Sequence, residues 1–427
     1  MRRMPVANSL DTQDINVREM EEYRPLLHRP LRKKIIDFER DGRLKHVILA
    51  TQFTRPLLEE LCDLADMVRE LASDPEGRRK LSKLLCHLQA MMYFTQPSTR
   101  TFLSFSAVCK LLGIGTEQVR DSAVSSESSE GVKRESRFDS IRMFSSYFDL
   151  IIMRSSIPDL AECCAYLMNE LENQEFNTRN IPIINAGSGA YQHPTQALLD
   201  LYTIRRTFRF ADEKRTPRPQ FEVLSDAYPN LTADVSNKTF AFCGDLGRGR
   251  TVRSLVELLM KFDNVSMVFI SPDHPKFHLG DDLLSRLRDL GVPFEEINSL
   301  DERLDGIPVL HQIDCLYMTR IQQEHNNQED DDFFASADMT RFRLTPERVE
   351  QMRSYAPILH PFPRDSVAGE IPTTIDGNPR AMYFHQARNG LWARAALLVH
   401  IFNADRALTQ AYREHYADLH DFNRAVL

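Results

Sequence analysis

The chain lacks the features that mark membrane, secreted and zinc-binding proteins. No apolar run approaches the roughly 18 residues of a membrane span, and the opening stretch MRRMPVANSL has two arginines with no apolar segment behind them. Its seven cysteines are scattered and never take the paired C-x-x-C spacing of a zinc site. We therefore predict a cytoplasmic protein with reduced, buried thiols and no metal.

A large excess of one charge is also missing. The 427 residues include 53 Lys and Arg against 61 Asp and Glu, which gives a formal net charge of -8. Because there is no basic footprint for nucleic acid, a small-molecule partner is the better expectation. The composition, with 42% hydrophobic and 27% charged residues, is globular, and the length predicts two domains.

Beyond the first 44 residues, short β-rich runs alternate with amphipathic helical segments, which is typical of parallel sheets flanked by helices. The runs include HLQAMMYF, YFDLIIM, IPIINA, KTFAFCGDL, VSMVFIS and CLYM. We predict an α/β protein with two doubly wound parallel-sheet domains joined by interdomain helices. Residues 45–196 plus 386–427 form the first domain and residues 197–385 the second, with an N-terminal extension over 1–44 and an insertion at about 209–237.

The turn Pro97-Ser98-Thr99-Arg100-Thr101 follows the run MMYF and precedes an apolar helical segment. Ligands of such sheets bind at the carboxyl ends of strands, where loops lead into helices. Hydroxyls, a guanidinium and free backbone N–H groups at a helix N-terminus favour a phosphate. The alternative is an ordinary Ser/Thr helix cap with a solvated arginine.

Two further strand ends carry groups suited to a small polar ligand. In NAGSGAYQHPTQ, His193 precedes Pro194, which fits a first helical position, and Gln196 follows three residues after His193. An imidazole and an amide offer the donors and acceptors that a carbamoyl group requires. Taken alone, a histidine such as His193 is more often a capping or core residue. Arg154 ends the run YFDLIIM, again at a strand's carboxyl end.

The glycines of the loop FCGDLGRGRTVRS fall in G-x-x-G-x-G order. A dinucleotide site uses G-x-G-x-x-G with a later acidic residue for the ribose, so we exclude nicotinamide binding. Arg250 and Thr251 lie at the start of the next helix, where they suit a carboxylate. Arg320 and Gln322 follow the run CLYM, and a second arginine at a strand end favours a substrate with two carboxylates.

Taken together, these segments resemble the catalytic chains of the aspartate carbamoyltransferase family, in the aspartate/ornithine carbamoyltransferase superfamily. The resemblance runs from about Leu44 to the C-terminus. The motifs that carry it are PSTRTFLSF, GVKRE, DLIIMR, NAGSGAYQHPTQALLDLYTI, GDLGRGRTVRSL, YMTRIQQE, HPFPR and YFHQARNGLWARAALL. The resemblance makes the first domain the carbamoyl phosphate domain and the second the aspartate domain.

The resemblance also implies a set of site residues. Those expected to bind carbamoyl phosphate are Ser98, Thr99, Arg100, Thr101, Ser129, Arg154, His193, Gln196, Phe362 and Pro363. Those expected to bind aspartate are Lys133, Arg250, Thr251, Arg320 and Gln322. The catalytic groups among them are Arg100, Thr101, Lys133, Arg154 and His193.

The implied reaction transfers the carbamoyl group of carbamoyl phosphate to the amine of L-aspartate, an early step of pyrimidine (UMP) biosynthesis. It needs no cofactor, because phosphate is already a good leaving group. In the family, Ser129 and Lys133 reach into the neighbouring subunit's site, although their Ser/Glu-rich segment alone is also typical of a solvated linker. The resemblance therefore implies a homotrimer with shared active sites, or larger assemblies built from it.

Two other functions stay open at this point. The first is a carbamoyltransferase for another amine, such as ornithine, because the phosphate half of the site is common to the superfamily. Pro361 in HPFPR, where ornithine enzymes resemble HCLP, favours the dicarboxylic amine. The second is a non-catalytic scaffold homologue, against which the intact motif residues argue.

Four positions depart from the family pattern: Gln96 for Glu, Phe102 for Arg, His325 for Arg, and Phe362 for Leu. In the family the acidic residue at position 96 helps to bridge the two domains through arginines. Because the charges at positions 96 and 325 are both lost, neither residue is left as an unpaired charge. The closed arrangement of the domains must then be stabilised by other contacts. We predict weak or absent cooperativity, which an aspartate saturation curve measures; a clearly sigmoidal curve would contradict it.

Overall fold

The computed structural model describes residues 15–120, 136–172, 179–188, 192–212, 227–228, 231–232, 234–321, 338–365 and 369–426; at 15–17, 210–212 and 418–426 it describes the backbone alone. The described chain forms two compact units. The first comprises Met1–Gln52, Leu64–Pro194 and Ala395–Leu427, and the second comprises Phe53–Asp63 and Thr195–Arg394.

The described residues contain both helices and short strands. The helices are α1 Ile15–Leu27, α2 Leu31–Asp37, α3 Arg55–Leu71, α4 Pro75–Leu81, α5 Thr99–Leu112, α6 Arg137–Tyr147, α7 Leu160–Glu172, α8 Pro194–Asp212, α9 Arg250–Leu259, α10 Asp281–Asp289, α11 Val309–Gln312, α12 Pro346–Gln351, α13 Tyr383–Ile401 and α14 Asp405–Val426. The strands are β1 Glu39–Arg40, β2 Arg43–Leu44, β3 Gln89–Phe94, β4 Gly115–Val119, β5 Leu150–Arg154, β6 Ile183–Asn185, β7 Thr239–Cys243, β8 Ser266–Ile270, β9 Phe294–Ile297, β10 Arg303–Leu304, β11 Ile307–Pro308, β12 Cys315–Met318 and β13 Ile358–Leu359. Among these helices, none has the length and apolarity needed to cross a membrane.

The first unit is built on a four-stranded parallel sheet in the order β4-β3-β5-β6. All five residues of β5 are buried, as expected for a parallel strand covered on both faces. In the register, Phe94 pairs with Arg154 and Met153 pairs with Asn185. The carboxyl ends of β3, β5 and β6 therefore lie side by side, and the predicted α/β architecture is confirmed.

Part of the predicted N-terminal extension contributes to the core of this unit. Helix α1 packs on α6 and α7, and Tyr23 and Phe38 belong to the main hydrophobic cluster. The ring of Tyr23 stacks on Phe138 with centroids 5.5 Å apart, and its hydroxyl donates to Glu170 at 2.8 Å. The described residues before position 45 are thus part of the folded unit.

The second unit contains a five-stranded parallel sheet in the order β13-β12-β7-β8-β9. Helix α9 buries Val252, Leu255, Val256 and Leu259, the helical spacing expected of a helix lying on a sheet. The carboxyl ends of β13, β12 and β7 are neighbours at one edge of the sheet. Each is followed by a loop that carries predicted site residues.

Candidate active site

The predicted phosphate turn leads directly into helix α5. The helix begins at Thr99, and Ser98 at its N-cap makes no side-chain capping hydrogen bond. The hydroxyl of Ser98 is therefore not used as an ordinary helix cap, which was the alternative interpretation of this turn. Thr101 is only 7% exposed, whereas Thr99 and Arg100 are exposed. Helix N–H groups, hydroxyls and a guanidinium are thus collected at one strand end, as an anion site requires.

Arg154 ties this turn to the next strand. Its backbone carbonyl accepts hydrogen bonds from the N–H groups of Thr95 at 3.0 Å and Gln96 at 3.3 Å. Its side chain is 8% exposed, and Nη1 donates to the carbonyl of Ala186 at 3.2 Å. The start of the phosphate turn and the end of β5 are therefore held in one fixed geometry.

Arg154 and His193 converge on the face of Gly187. Gly187 has φ +101°, and a methyl group added there would lie 2.6 Å from Nη1 of Arg154 and 3.0 Å from Nε2 of His193. His193 is 4% exposed and precedes the first residue of α8. The structure therefore brings together a guanidinium and an imidazole that the sequence separates by 39 positions. Two such groups can donate to one oxygen atom.

Two residues that the sequence analysis missed hold this arrangement. The side-chain oxygen of Asn185 accepts from the N–H groups of Gly187 at 2.9 Å and Ser188 at 2.7 Å. The hydroxyl of Ser188 accepts from the N–H of Ser155 at 3.0 Å. The available signal was the Asn of NAGS, because asparagine after a strand favours a turn of this kind. Asn185 and Ser188 position the loop that carries Gly187.

Gly187→Ala is expected to reduce activity by about 100-fold, because the added methyl group displaces Arg154 and His193 and a shift of about 1 Å can cost that much. The measurement is kcat together with the midpoint of thermal unfolding. Gly42→Ala is the matched control, since Gly42 also has a positive φ of 72° but nothing lies within 4 Å of its added methyl group. Both variants should lose about 1–2 kcal/mol of stability. Equal activities in the two variants would contradict the described convergence.

In the second unit, the loop after β7 is organised by Asp245. Its buried carboxylate accepts from the backbone N–H of Arg248 at 3.1 Å and from its Nε at 2.8 Å. Helix α9 then begins at Arg250, whose N-cap Gly249 provides no side-chain cap. Burial lowers the pKa of the Arg250 guanidinium, which remains a cation at neutral pH. A partly desolvated arginine at a helix N-terminus is suited to a carboxylate ligand.

The loop that carries Arg320 begins beside the loop of Arg250. The N–H of Thr319 donates to the carbonyl of Cys243 at 2.8 Å. Gly244 has φ +121°, and a methyl group there would lie 2.2 Å from the carbonyl oxygen of Thr319, so the two backbones touch. Arg320 follows immediately and is partly exposed. Two arginine-bearing loops therefore start from adjacent strands of one sheet.

The HPFPR loop follows β13 at the same edge. Phe362 has φ +58° and precedes a cis peptide bond to Pro363. Its N–H donates to Nδ1 of His360 at 2.8 Å, and Nε2 of His360 lies 2.8 Å from Glu370. These contacts hold the backbone of Phe362 and Pro363, which is the part of the loop predicted to contact the carbamoyl group.

Several predicted residues lie outside the described part of the chain: Ser129, Lys133, Gln322 and His325. Gln196 and Thr251 lie in the first turns of α8 and α9. The structure thus groups the predicted residues in two sets, one at the strand ends of each sheet. The individual roles assigned to them stay predictions.

Comparison with known proteins identifies the family of both units. Residues 45–206 match the carbamoyl-P binding domain of the aspartate/ornithine carbamoyltransferases, and residues 236–401 match their Asp/Orn binding domain. The aspartate carbamoyltransferase catalytic subunit of Lachnoclostridium phytofermentans is 33% identical over 369 residues, which cover 84% of this chain and 98% of the relative. The chloroplastic aspartate carbamoyltransferase of Arabidopsis thaliana is 36% identical over 83% of this chain and 77% of the relative.

Solved structures agree with this assignment. The catalytic subunit of M. jannaschii aspartate transcarbamoylase superposes with a TM-score of 0.64 at 32% identity, covering 84% of this chain and 98% of that one. The Trypanosoma cruzi enzyme in complex with carbamoyl phosphate and aspartate superposes with a TM-score of 0.65 at 28% identity, covering 84% and 96%. The chain therefore belongs to the aspartate/ornithine carbamoyltransferase family.

Proposed function

We propose that the protein transfers the carbamoyl group of carbamoyl phosphate to the amine of L-aspartate, giving N-carbamoyl-L-aspartate and phosphate. The observation that carries the proposal is the convergence of Arg154 and His193 over Gly187, at the strand ends from which the phosphate turn also begins. Relatives that cover most of the chain are named aspartate carbamoyltransferases, and the related Trypanosoma cruzi structure contains carbamoyl phosphate and aspartate.

The binding of carbamoyl phosphate, which donates the carbamoyl group, is assigned to the residues at the strand ends of the first sheet, to Gln196 and to the HPFPR loop. The phosphate is bound by Ser98, Thr99, Arg100 and Thr101, where the N-terminus of α5 adds backbone N–H groups and a favourable dipole. Each charge-assisted hydrogen bond contributes about 1.5–3 kcal/mol. The carbamoyl end is assigned to the remaining residues predicted to bind carbamoyl phosphate, namely Arg154, His193, Gln196 and the backbone of Phe362 and Pro363.

In the chemical step, the uncharged amine of aspartate attacks the carbonyl carbon of the donor. A C–N bond forms, the carbonyl oxygen becomes an oxyanion, and Arg154, His193 and Thr101 donate to it. The C–O bond to phosphate then breaks, and the phosphate leaves into the turn with the proton from the amine. Bringing two reactants together in the right orientation can lower the barrier by about 7–11 kcal/mol, to which the oxyanion donors add electrostatic stabilisation.

Aspartate is held through its two carboxylates. Arg250 with Thr251 at the N-terminus of α9 binds one of them, and Arg320 with Gln322 binds the other. Both arginines follow the carboxyl ends of β7 and β12, which are adjacent strands of one sheet. A dicarboxylic amine satisfies two guanidinium groups, whereas ornithine would present a cation to one of them.

The active protein is a homotrimer in which Ser129 and Lys133 complete the site of the neighbouring subunit. Mixing Arg154→Ala and Lys133→Ala subunits tests this arrangement. Each variant alone is expected to be nearly inactive. After equimolar mixing and random reassembly, about a quarter of all sites combine an intact Arg154 with an intact Lys133. Recovery of activity after dissociation and mixing supports sharing, whereas no recovery places every site within one subunit.

The reaction belongs to an early stage of pyrimidine synthesis, and we propose a cytoplasmic location. The substrate assignment is tested by phosphate release from carbamoyl phosphate in the presence of aspartate, ornithine or no amine. Only aspartate is expected to accelerate release. Turnover with ornithine would identify a different acceptor, and no turnover with any amine would favour a non-catalytic homologue.

A further inference from the structure

Asp200 is a buried carboxyl group on α8, one helical turn after Gln196, and the mechanism above does not use it. Its side chain is 0% exposed. Oδ1 accepts hydrogen bonds from Nε2 of Gln196 at 2.8 Å and Nε2 of Gln386 at 2.6 Å, and Oδ2 accepts from the hydroxyl of Tyr317 at 2.8 Å. One carboxyl group therefore holds side chains from α8, α13 and β12.

The bond to Gln196 fixes which end of its amide is available to a ligand. An amide has a donor end and an acceptor end. Because Nε2 donates to Asp200, Oε1 of Gln196 remains as the acceptor, and Gln196 is only partly buried. An acceptor is what the NH2 of a carbamoyl group requires. A reversed amide would face that NH2 with a second donor.

The bond to Gln386 extends to the HPFPR loop. Nε2 of Gln386 donates to Asp200, so its Oε1 is free to accept the N–H of His360, which it does at 2.8 Å. Nδ1 of His360 in turn accepts the N–H of Phe362 at 2.8 Å. The orientation of one amide, set by Asp200, therefore supports the backbone that is assigned to the carbamoyl group.

The bond to Tyr317 extends to the acceptor half of the site. The hydroxyl of Tyr317 donates to Asp200 and also hydrogen-bonds with Thr251 in the first turn of α9. Thr251 is assigned to aspartate binding. Asp200 is thus one hydrogen bond away from Gln196 and two hydrogen bonds away from Thr251. These two residues are assigned to different substrates.

On the basis of the proposed function, we propose that Asp200 is a positioning residue that aligns both substrates. Its Oδ1 fixes the amide orientations of Gln196 and Gln386, and its Oδ2 holds Tyr317. Its acceptor atoms perform this role. An asparagine can reproduce them, because its Oδ1 accepts from both glutamines and its Nδ2 donates to the hydroxyl of Tyr317, which then donates to Thr251.

The electrostatic surroundings agree with a role that does not depend on charge. Burial raises the pKa of Asp200 to about 7, against the three hydrogen bonds and the charge of Arg394, which lower it. The ionisable groups that face it are Tyr317 and Cys315 of β12 and Arg394 of α13. Near neutral pH the carboxyl group is therefore partly protonated, and an asparagine resembles its protonated form.

The test compares Asp200→Ala with Asp200→Asn in steady-state kinetics. The alanine variant is expected to raise KM for carbamoyl phosphate and lower kcat, each by roughly tenfold or more, because the two amides lose their common acceptor. The asparagine variant is expected to stay within about threefold of the wild type. An alanine variant with wild-type constants, or an asparagine variant as impaired as the alanine variant, would overturn the proposal.

Two further variants keep the test decisive. Should Asp200→Ala fail to fold, Gln386→Met replaces it, because the variant removes the link to His360 and is expected to raise the carbamoyl phosphate KM; an unchanged KM overturns the proposal. Tyr317→Phe should raise KM for aspartate and leave that for carbamoyl phosphate unchanged, and the reverse split contradicts it. A wild type without turnover would count against the proposed function, whereas active wild type with unaffected variants counts against the role of Asp200.

Thermal unfolding gives an independent readout. With a pKa raised from 3.8 to about 7, the folded chain keeps a proton between these pH values that the unfolded chain has lost, so wild-type stability declines as pH rises through this window. Asp200→Asn lacks this decline. Its Tm relative to the wild type should therefore rise between about pH 4 and pH 7 and then level off. A Tm difference independent of pH would contradict the raised pKa of a buried Asp200.

Discussion

Replacing Arg154 with alanine is expected to lower kcat by about 10²–10³-fold, which is the cost of removing one oxyanion donor, about 2.7–4 kcal/mol. The guanidinium converges with His193 on Gly187 and is assigned to the oxygen that becomes negative in the transition state. Because the interaction strengthens as charge develops, the loss should fall on kcat more than on KM. The measurement is steady-state turnover with both substrates saturating.

The fold should survive this substitution. The side chain of Arg154 donates to the carbonyl of Ala186, and losing one hydrogen bond with a charged donor costs about 1.5–3 kcal/mol. Arg154→Lys keeps the charge without the fork and should retain part of the activity. Arg79→Ala, which removes an exposed arginine paired with Glu76 on α4, is the control and should be fully active. Unchanged turnover in the Arg154→Ala variant, or equal losses in the two alanine variants, would remove Arg154 from the mechanism.

Arg250→Ala is expected to raise KM for aspartate by about 10- to 100-fold, the equivalent of one charge-assisted contact of about 1.5–3 kcal/mol. Arg250 lies at the first position of α9 and is partly buried, so its guanidinium meets a carboxylate with little competition from water. Carbamoyl phosphate binding should not change, because its phosphate is assigned to residues of the other unit. Initial rates with each substrate varied in turn separate the two constants.

Arg253 on the same helix provides the matched control. It pairs with Asp282 of α10 rather than lying at the helix start, and Arg253→Ala should leave both KM values near those of the wild type. A rise in the carbamoyl phosphate KM alone in the Arg250→Ala variant would reverse the assignment of the two substrates. An equal effect of Arg250→Ala and Arg253→Ala would indicate a general perturbation of α9.

The two parallel sheets could be predicted because their strands are continuous apolar runs between helical segments. The run LIIMR is a strand with every residue buried, and CLYM behaves in the same way. The contribution of the N-terminal segment could not be predicted. Its charges and prolines indicate an external extension, yet α1 continues through Pro25 and places Tyr23 in the core. Local composition does not reveal a contact with a helix that lies far away in the chain.

The loops of the site could be predicted, whereas the groups that hold them could not. The residues predicted to bind phosphate, the arginines and the HPFPR motif occur at strand ends, where parallel sheets place ligands. Asn185 acts through a short-range turn and had a recognisable signal, whereas the hydroxyl of Ser188 accepts from Ser155, 33 positions away, and had none. The bonds of Asp200 to Tyr317 and Gln386 span 117 and 186 positions, so no local pattern indicates them.

The prediction of an aspartate carbamoyltransferase is confirmed by relatives that cover most of the chain. The reaction was identified from the resemblance of the named motifs to a family. Chemistry alone left the acceptor open, since two arginines at strand ends indicate a dicarboxylate but do not identify its amine. The variants described above test the roles assigned to the side chains.

The most direct measurement follows the carbamoyl carbon itself. The protein is incubated with ¹³C-labelled carbamoyl phosphate and ¹⁵N-labelled L-aspartate, and the products are observed by NMR. We predict a new ¹³C signal split by coupling to ¹⁵N, with phosphate released in equal amount, because the carbamoyl carbon becomes bonded to the aspartate nitrogen. A ¹³C label found only in the hydrolysis products of carbamoyl phosphate, at the same rate with and without the protein, would contradict the account.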